Sequence, residues 1–404
     1  MKLGIIKEGK IPPDERVPFS PGQLAELQLK YPQLEITVQS SKVRRFKDED
    51  YSNAGIQVSD NVDHCDVLMG VKEVPKPDLI PNKTYFFFSH TIKKQPYNRE
   101  LLQAILAKNI QLIDYECLTD ENGTRLLGFG RYAGIVGAYN TLKAFGQKYG
   151  LYDLKAAHLC EDMDELHREL SKLQFTEEIF PKIVLTGAGR VAHGALEILR
   201  KAGIEEVDPS SFLLQNFNQP VFTQLQVTDY VKRKDGQPAV AQEFFGNPEP
   251  YTSNFMPYAK SANVYIACHY WKSGSPFIFT RNDAKSADFN IELVGDISCD
   301  IDGPVASTLR PSTIANPLYA YDPISEKEVA FNTEGAIDVM AVDNLPCELP
   351  KDASAGFGAE FIENILPAFF NHDSNGILQR ASITKNGSLT EDFRYLTKYA
   401  EGHE

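Results

Sequence analysis

The sequence carries no block rich in lysine or arginine, and its 41 basic residues face 55 acidic ones for a net charge of −14. Nucleic acid and anionic membrane are therefore poor partners, because both attract clustered positive charge. Long apolar runs are missing as well: YFFF at 85–88 falls far short of the roughly 20 residues of a spanning helix. The amino terminus, MKLGIIKEGK, has no apolar stretch before a small-residue cleavage site and no Arg/Ser-rich amphipathic character. Nothing in it marks export, and a soluble, cytoplasmic protein is expected. Cysteine is sparse: Cys65, Cys117, Cys160, Cys268, Cys299 and Cys347 form no CxxC pair. A zinc knuckle and a disulfide framework are disfavoured, no metal site is expected, and a reducing compartment fits. No internal repeat or low-complexity tract is visible.

What is present is an ordinary globular composition, 42% apolar and 24% charged over 404 residues, enough for a core in each of two or three domains. The first 120 residues alternate strand-like and helix-like stretches. KLGIIK at 2–7, EITVQ at 35–39, VLMGV at 67–71, Thr84–Phe88 and IQLIDY at 110–115 read as strands. Ser20-Pro21 starts a helix with Leu24, Leu27 and Leu29 on one face, and 98–108 reads as another. The economical fold class is α/β, a parallel sheet covered by helices. Residues 133–149 and 161–173 look like connecting helices, and a second α/β pattern begins at Lys182. The stretch 213–254 lacks clear periodicity, and so long a loop is unusual, so it is expected to contain helices. A final helix over about 356–370 can return to the first domain.

The strand KIVLT, the turn Gly187-Ala188-Gly189-Arg190-Val191-Ala192 and the helical pattern that follows make a dinucleotide fingerprint in its proper context. The glycines permit the tight turn and close approach of a pyrophosphate, and the helix amino terminus favours an anion. Asp208, about twenty residues on, stands where a ribose hydroxyl partner is expected, which favours NAD over NADP. Arg190 pulls the other way, since it can stack on adenine or hold a phosphate, so NADP stays possible. A purely structural glycine turn is the bland alternative.

Three strand-like runs end in ionisable groups: VLMGV in Lys72-Glu73, YFFFS in His90 with Lys93 after it, and QLIDY in Glu116. Ligands of open α/β sheets bind at that edge. Each residue alone has a plainer reading: solvated charges for Lys72 and Glu73, a core histidine for His90, a local ion pair for Arg16 in DERVP. Together they describe a cleft with cations for carboxylates and a Lys and His able to move protons.

These stretches also carry a resemblance. ERVPFSP at 15–21, GVKE at 70–73, FFSHTIK at 87–93, LIDYE at 112–116, GAGRV at 187–191, GDIS at 295–298 and VDNLP at 342–346 resemble the family of alanine dehydrogenase, the transhydrogenase α subunit and lysine-forming saccharopine dehydrogenase. FFSHTIK, GDIS and VDNLP point to the saccharopine dehydrogenase and lysine 2-oxoglutarate reductase branch. The resemblance implies two Rossmann-like domains with mostly parallel sheets and an interdomain active-site cleft. Residues 1–135 plus about 346–404 would serve substrate and catalysis, and 136–345 the dinucleotide. It implies Lys72 and His90 as catalytic residues, with Arg16, Lys93 and Arg125 holding carboxylates and Glu73 and Glu116 tuning charge. Tyr270 and Asp296 would join the cofactor contacts. The implied partners are lysine, 2-oxoglutarate and saccharopine, with the protein a monomer or homo-oligomer. Alanine dehydrogenase or another amino-acid or opine dehydrogenase is the competing enzyme, and a non-catalytic dinucleotide sensor the competing class.

Overall fold

The computed structural model describes residues 1–403. They form two compact units: residues 1–129 with the chain from Pro350 on, and Gly130–Leu349. The first unit begins with β1 (Lys2–Ile5), β2 (Glu35–Gln39), β3 (Gln57–Ser59), β4 (Val67–Met69), β5 (Thr84–Phe87) and β6 (Gln111–Asp114). All six run parallel in the order β6-β5-β4-β1-β2-β3. A parallel sheet covered on both faces requires apolar residues on both sides of its strands, and Tyr85, Phe86 and Phe87 of β5 are all buried. The helix Pro21–Lys30 opens with a capping box between Ser20 and Gln23, which satisfies two orphan backbone donors. It buries Leu24 and Leu27, but Leu29 lies 82% exposed, off the face expected of it.

The second unit contains β7 (Lys182–Thr186), β8 (Glu205–Glu206), β9 (Val221–Leu225), a ribbon of β10 (Val231–Arg233) and β11 (Tyr251–Ser253), then β12 (Val264–Ala267), β13 (Leu293–Asp296), β14 (Leu318–Asp322), β15 (Lys327–Val329) and β16 (Ile337–Met340). Apart from the ribbon these form one sheet, order β15-β14-β16-β13-β12-β7-β9-β8, in which β14 alone among the described strands runs against the others. The stretch 213–254 holds the short helices Val227–Tyr230 and Ala241–Gly246, as expected, but also β9 and the ribbon. In β9, Val221, Phe222, Thr223 and Leu225 are buried on both faces, so neither alternation nor a helical stripe marks it in the sequence.

The helix Gly130–Tyr149 is not a mere connector. It lies against helix Arg190–Lys201 so closely that a Cβ on Gly134 would stand 1.8 Å from the Val191 carbonyl oxygen, and one on Gly194 1.9 Å from that of Arg131. Both positions require glycine. Past Leu349 the chain returns to the first unit as helix Pro350–Asn364, which starts six residues before the expected helix and ends ahead of Pro367, where a separate turn begins. Ser354 Oγ accepts from Val17 N–H at 2.9 Å, and Phe357 and Phe361 pack among Phe86, Phe88 and Tyr115. β17 (Ser382–Lys385) then adds antiparallel to β6, and β18 (Ser388–Leu389) completes an eight-stranded sheet among the described residues. No described helix is long and apolar enough to cross a membrane.

Candidate active site

Because β1, β4, β5 and β6 are parallel neighbours, whatever follows each of them emerges at one edge of the first sheet. β1 leads to Glu8, β4 to Lys72 and Glu73, β5 to Ser89 and His90, and β6 to Asp114 and Glu116.

Two knots organise this edge. In the first, Arg16 donates through Nε and Nη2 to Asp14 at 3.0 and 2.7 Å, and its backbone N–H donates to Asp14 Oδ1 at 3.0 Å. Both side chains are only 3% exposed, and the guanidinium sits 4.2 Å over the Phe129 ring. Burial alone would raise the Asp14 carboxyl, but the Arg16 charge and hydrogen bonds, with the charge of Lys72, bring it down to about 2. The local ion pair foreseen as the plain reading for Arg16 is therefore real, and it fixes the guanidinium at the same sheet edge as Lys72.

The second knot is centred on Glu116. His90 Nδ1 lies 3.2 Å from Glu116 Oε2, Lys93 Nζ 3.1 Å from Oε1, and Arg125 Nη1 3.8 Å from Oε1. His90 adopts the left-handed backbone region, φ 55°, and its ring stacks on Phe88, so the imidazole is held from two sides. Lys93 Nζ also stands 3.2 Å from Nδ1. One nitrogen cannot both donate to the carboxylate and accept from the ammonium; the carboxylate is the stronger acceptor, which assigns the proton to Nδ1 and leaves Nε2 as the basic atom. Burial works to raise Glu116, but the His90 hydrogen bond and the Lys93 charge dominate and hold it at about 2. It is a carboxylate throughout the neutral range. Glu73 is tied instead to Lys10, whose Nζ reaches both carboxylate oxygens at 3.0 and 2.8 Å.

Two acids at this edge were not singled out in the sequence. Fully buried Asp114 accepts from Ser89 N–H at 2.9 Å, from Ser89 Oγ, and from Glu116 N–H at 2.8 Å; it binds the turns after β5 and β6 together, while burial raises its carboxyl. Glu8 accepts from the Val71 and Lys72 amides. The available signal was the same one used for the others: an acid directly after an apolar strand.

In the second unit the glycine turn follows β7. Gly187 has φ +112°, and a Cβ on it would meet the Cys268 carbonyl oxygen at 2.6 Å, whereas one on Gly189 would meet nothing within 4 Å. The second glycine thus faces open space at the start of the twelve-residue helix Arg190–Lys201, the arrangement a pyrophosphate needs. Ala188, Arg190 and Val191 lie in that turn or open that helix, and Ala192 is buried beneath it. These residues fit a dinucleotide.

Asp208 is placed differently from its expected position. The strand beside β7 is β9, and β8, after which Asp208 comes, pairs only with β9. The place next to the turn belongs to Gln224, Leu225 and Gln226: Gly187 N–H donates to Leu225 O at 3.1 Å, and Gln224 Nε2 to Gly187 O at 2.8 Å. Asp208, exposed, caps helix Pro209–Leu214 by accepting from the Ser210 and Ser211 amides. Spacing along the chain misplaced it because an unrecognised strand intervenes. Asp296, at the end of β13, is fully buried and spent on Ser298 Oγ (2.6 Å), Cys299 N–H (3.0 Å) and Thr308 Oγ1 (2.6 Å), the pattern of a loop brace. Tyr270, after β12, is 79% exposed. No group of three or more metal-ligating side chains is placed to hold an ion among the described residues.

Comparison with known proteins accords with this architecture. Residues 4–136 match the family described as "Alanine dehydrogenase/PNT, N-terminal domain". The chain is 28% identical over 97% of its length to the mitochondrial alpha-aminoadipic semialdehyde synthase of Mus musculus, covering 47% of that protein. It is 25% identical over 82% of its length to the NAD(+)-dependent, L-lysine-forming saccharopine dehydrogenase of Schizosaccharomyces pombe, covering 84% of it. The chain thus spans about half the length of the synthases it matches. In fold it is similar to a solved L-alanine dehydrogenase, with TM-score 0.65 and 14% identity over the whole of both chains. It is also similar to a transhydrogenase from Sinorhizobium meliloti, with TM-score 0.56 and 13% identity over 96% of this chain and all of that one.

Proposed function

Residues 4–136 belong to the alanine dehydrogenase/PNT N-terminal domain family, and on that premise we propose that the protein is a nicotinamide-dinucleotide oxidoreductase interconverting saccharopine with L-lysine and 2-oxoglutarate. The observation that carries this reading is the gathering of Lys72, Arg16 and the His90–Glu116–Lys93 knot at one sheet edge. A substrate with three carboxylates needs several cations, and this acidic chain concentrates them there. The names of its saccharopine dehydrogenase relatives support the same substrates.

In the oxidative direction saccharopine, water and the oxidised dinucleotide give lysine, 2-oxoglutarate, the reduced dinucleotide and a proton. When bound, the nicotinamide supplies the hydride acceptor for the C–H beside the secondary nitrogen. Lys72 takes the N–H proton as the imine forms. His90, through Nε2, takes a proton of the water that adds to the imine carbon and gives it to nitrogen, then takes the carbinolamine hydroxyl proton and passes it to the leaving amine as the C–N bond breaks. Glu116 keeps the imidazole aimed and stabilises its protonated form, in the manner of a carboxylate behind a catalytic histidine. Arg16, Lys93 and Arg125 receive substrate carboxylates, and Glu73, already bound to Lys10, sets the charge beside Lys72.

The dinucleotide is taken as NAD or NADP. The relatives' printed names favour NAD, and Asp229, just past the end of β9, accepts from Gln226 N–H at 2.7 Å, while Arg190 in the glycine turn can meet a 2′-phosphate. Both NADH and NADPH are expected to bind. The test is oxidation of either reduced cofactor in the presence of lysine and 2-oxoglutarate. No rate with that pair alongside a good rate with ammonia and pyruvate means an alanine dehydrogenase, and dinucleotide binding without turnover of any such pair means a sensor.

A further inference from the structure

Glu8 stands three residues beyond β1, and β1 lies directly beside β4. The β4 ladder to β5 ends with Gly70 N–H on Phe86 O and Phe88 N–H on Val71 O, both at 3.0 Å. The next two amides, Val71 and Lys72, turn to the Glu8 carboxyl instead, donating to Oε1 at 2.6 Å and Oε2 at 2.9 Å. Gly70 makes room for this: a Cβ there would lie 3.0 Å from Ile6 and 3.3 Å from Glu8 Oε1. Two consecutive amides converging on one carboxyl form a small anion-binding nest, and the nest is the backbone of Lys72 itself.

We propose that Glu8 is a positioning residue for the Lys72 amine, gripping the Val71–Lys72 backbone and sharing one charge balance with Asp14, Arg16 and Lys72. The charged and titratable groups that face it are Asp14 and Arg16 on the loop after β1, Lys72 after β4, and the Tyr115 hydroxyl after β6, which burial first and then Glu8 push upward. Burial, assisted by Asp14 and opposed by the two amides and Arg16, raises the Glu8 carboxyl to about 8. Near neutral pH Glu8 therefore holds a proton and adds no negative charge beside Lys72, which already shares Asp14 with Arg16. Once Glu8 ionises, the added negative charge favours the ammonium.

The base role of Lys72 rests on the proposed reaction, but the titration of its amine does not, so the two can fail separately. The experiment is pH-dependent labelling of Lys72 by trinitrobenzenesulfonate in the full-length protein, read by peptide mass spectrometry, with Lys72→Met as the blank. Glu8→Gln is expected to lower the midpoint of Lys72 labelling by about one pH unit, the scale of one nearby charge in a half-buried site, and Glu8→Asp to recover most of that shift. A folded Glu8→Gln protein whose Lys72 profile superimposes on wild type overturns the proposal. If that variant does not fold, the Glu8 carboxyl is titrated in the wild type by ¹³C NMR: a midpoint near 8 supports the proposal, and one at the ordinary 4.5 overturns it. A wild type that fails to join lysine and 2-oxoglutarate sinks the reaction and leaves the Lys72 titration readable.

Discussion

Asp14→Asn tests whether the Asp14–Arg16 pair holds the first unit's active edge together. The carboxyl drops from its ordinary 3.8 to about 2 on folding, and at about 1.4 kcal/mol per pH unit this favours the folded state by about 2.5 kcal/mol at neutral pH. The sign follows from the direction: a depressed carboxyl contributes fully above its unfolded value, and the contribution is lost as pH falls through about 2. Asparagine keeps the shape, but its amide donor meets the Arg16 Nη2 donor at a pair only 3% exposed on each side. The cost then includes a guanidinium whose buried counter-charge is gone, so a loss of about 2.5 to 5 kcal/mol is expected. The assay is guanidinium denaturation of both proteins followed by the far-UV signal, repeated from pH 8 to pH 3. The gap should be constant down to about pH 5 and shrink below pH 4. A variant within about 0.5 kcal/mol of wild type at pH 7.5, the size of an ordinary surface substitution, or a gap that widens with acid, refutes the reasoning.

Three further expectations follow from the same geometry. Gly134→Ala drives a methyl into the Val191 carbonyl and should destabilise the second unit by about 3 kcal/mol or more, read by thermal denaturation; a loss under about 1 kcal/mol means the helices can separate without cost. Asp208→Ala should lower stability slightly as a lost helix cap and leave the NADH to NADPH affinity ratio unchanged by fluorescence titration, whereas Gln226→Asp should weaken NADPH about tenfold relative to NADH; a changed ratio in the Asp208 variant returns that residue to the ribose. Lys72→Met should lower turnover by about 10² to 10⁴ and leave dinucleotide affinity nearly intact, so an unchanged kcat removes Lys72 from the chemistry.

What was legible in the sequence lay in strand ends and local turns. Lys72, His90 and Glu116 each follow an apolar run, and parallel pairing of β4, β5 and β6 brings their ends to one edge, so local reading and tertiary placement agree. The glycine turn is similarly local. Strand order is not: β9 enters between β7 and β8 from a stretch without periodicity, and that alone moved Asp208 away from the turn. Helix Gly130–Tyr149 read as a connector because Gly134 takes its meaning from Val191, and Gly194 from Arg131, contacts visible only once the two helices cross. Glu8 was passed over because an acid between Lys7 and Gly9 looks solvated until the two amides beyond β4 close on it.

The most direct measurement is deuterium transfer from the reduced cofactor. Protein supplied with lysine, 2-oxoglutarate and NADH or NADPH carrying deuterium at C4 of the nicotinamide is quenched, and the products are resolved by mass spectrometry. The account predicts a single condensed product with the mass of saccharopine, carrying one deuterium at the former keto carbon of 2-oxoglutarate, formed only when both carbon substrates are present and lost in Lys72→Met. Absence of that product with either cofactor, with deuterium appearing instead in alanine when pyruvate and ammonia are supplied, contradicts it.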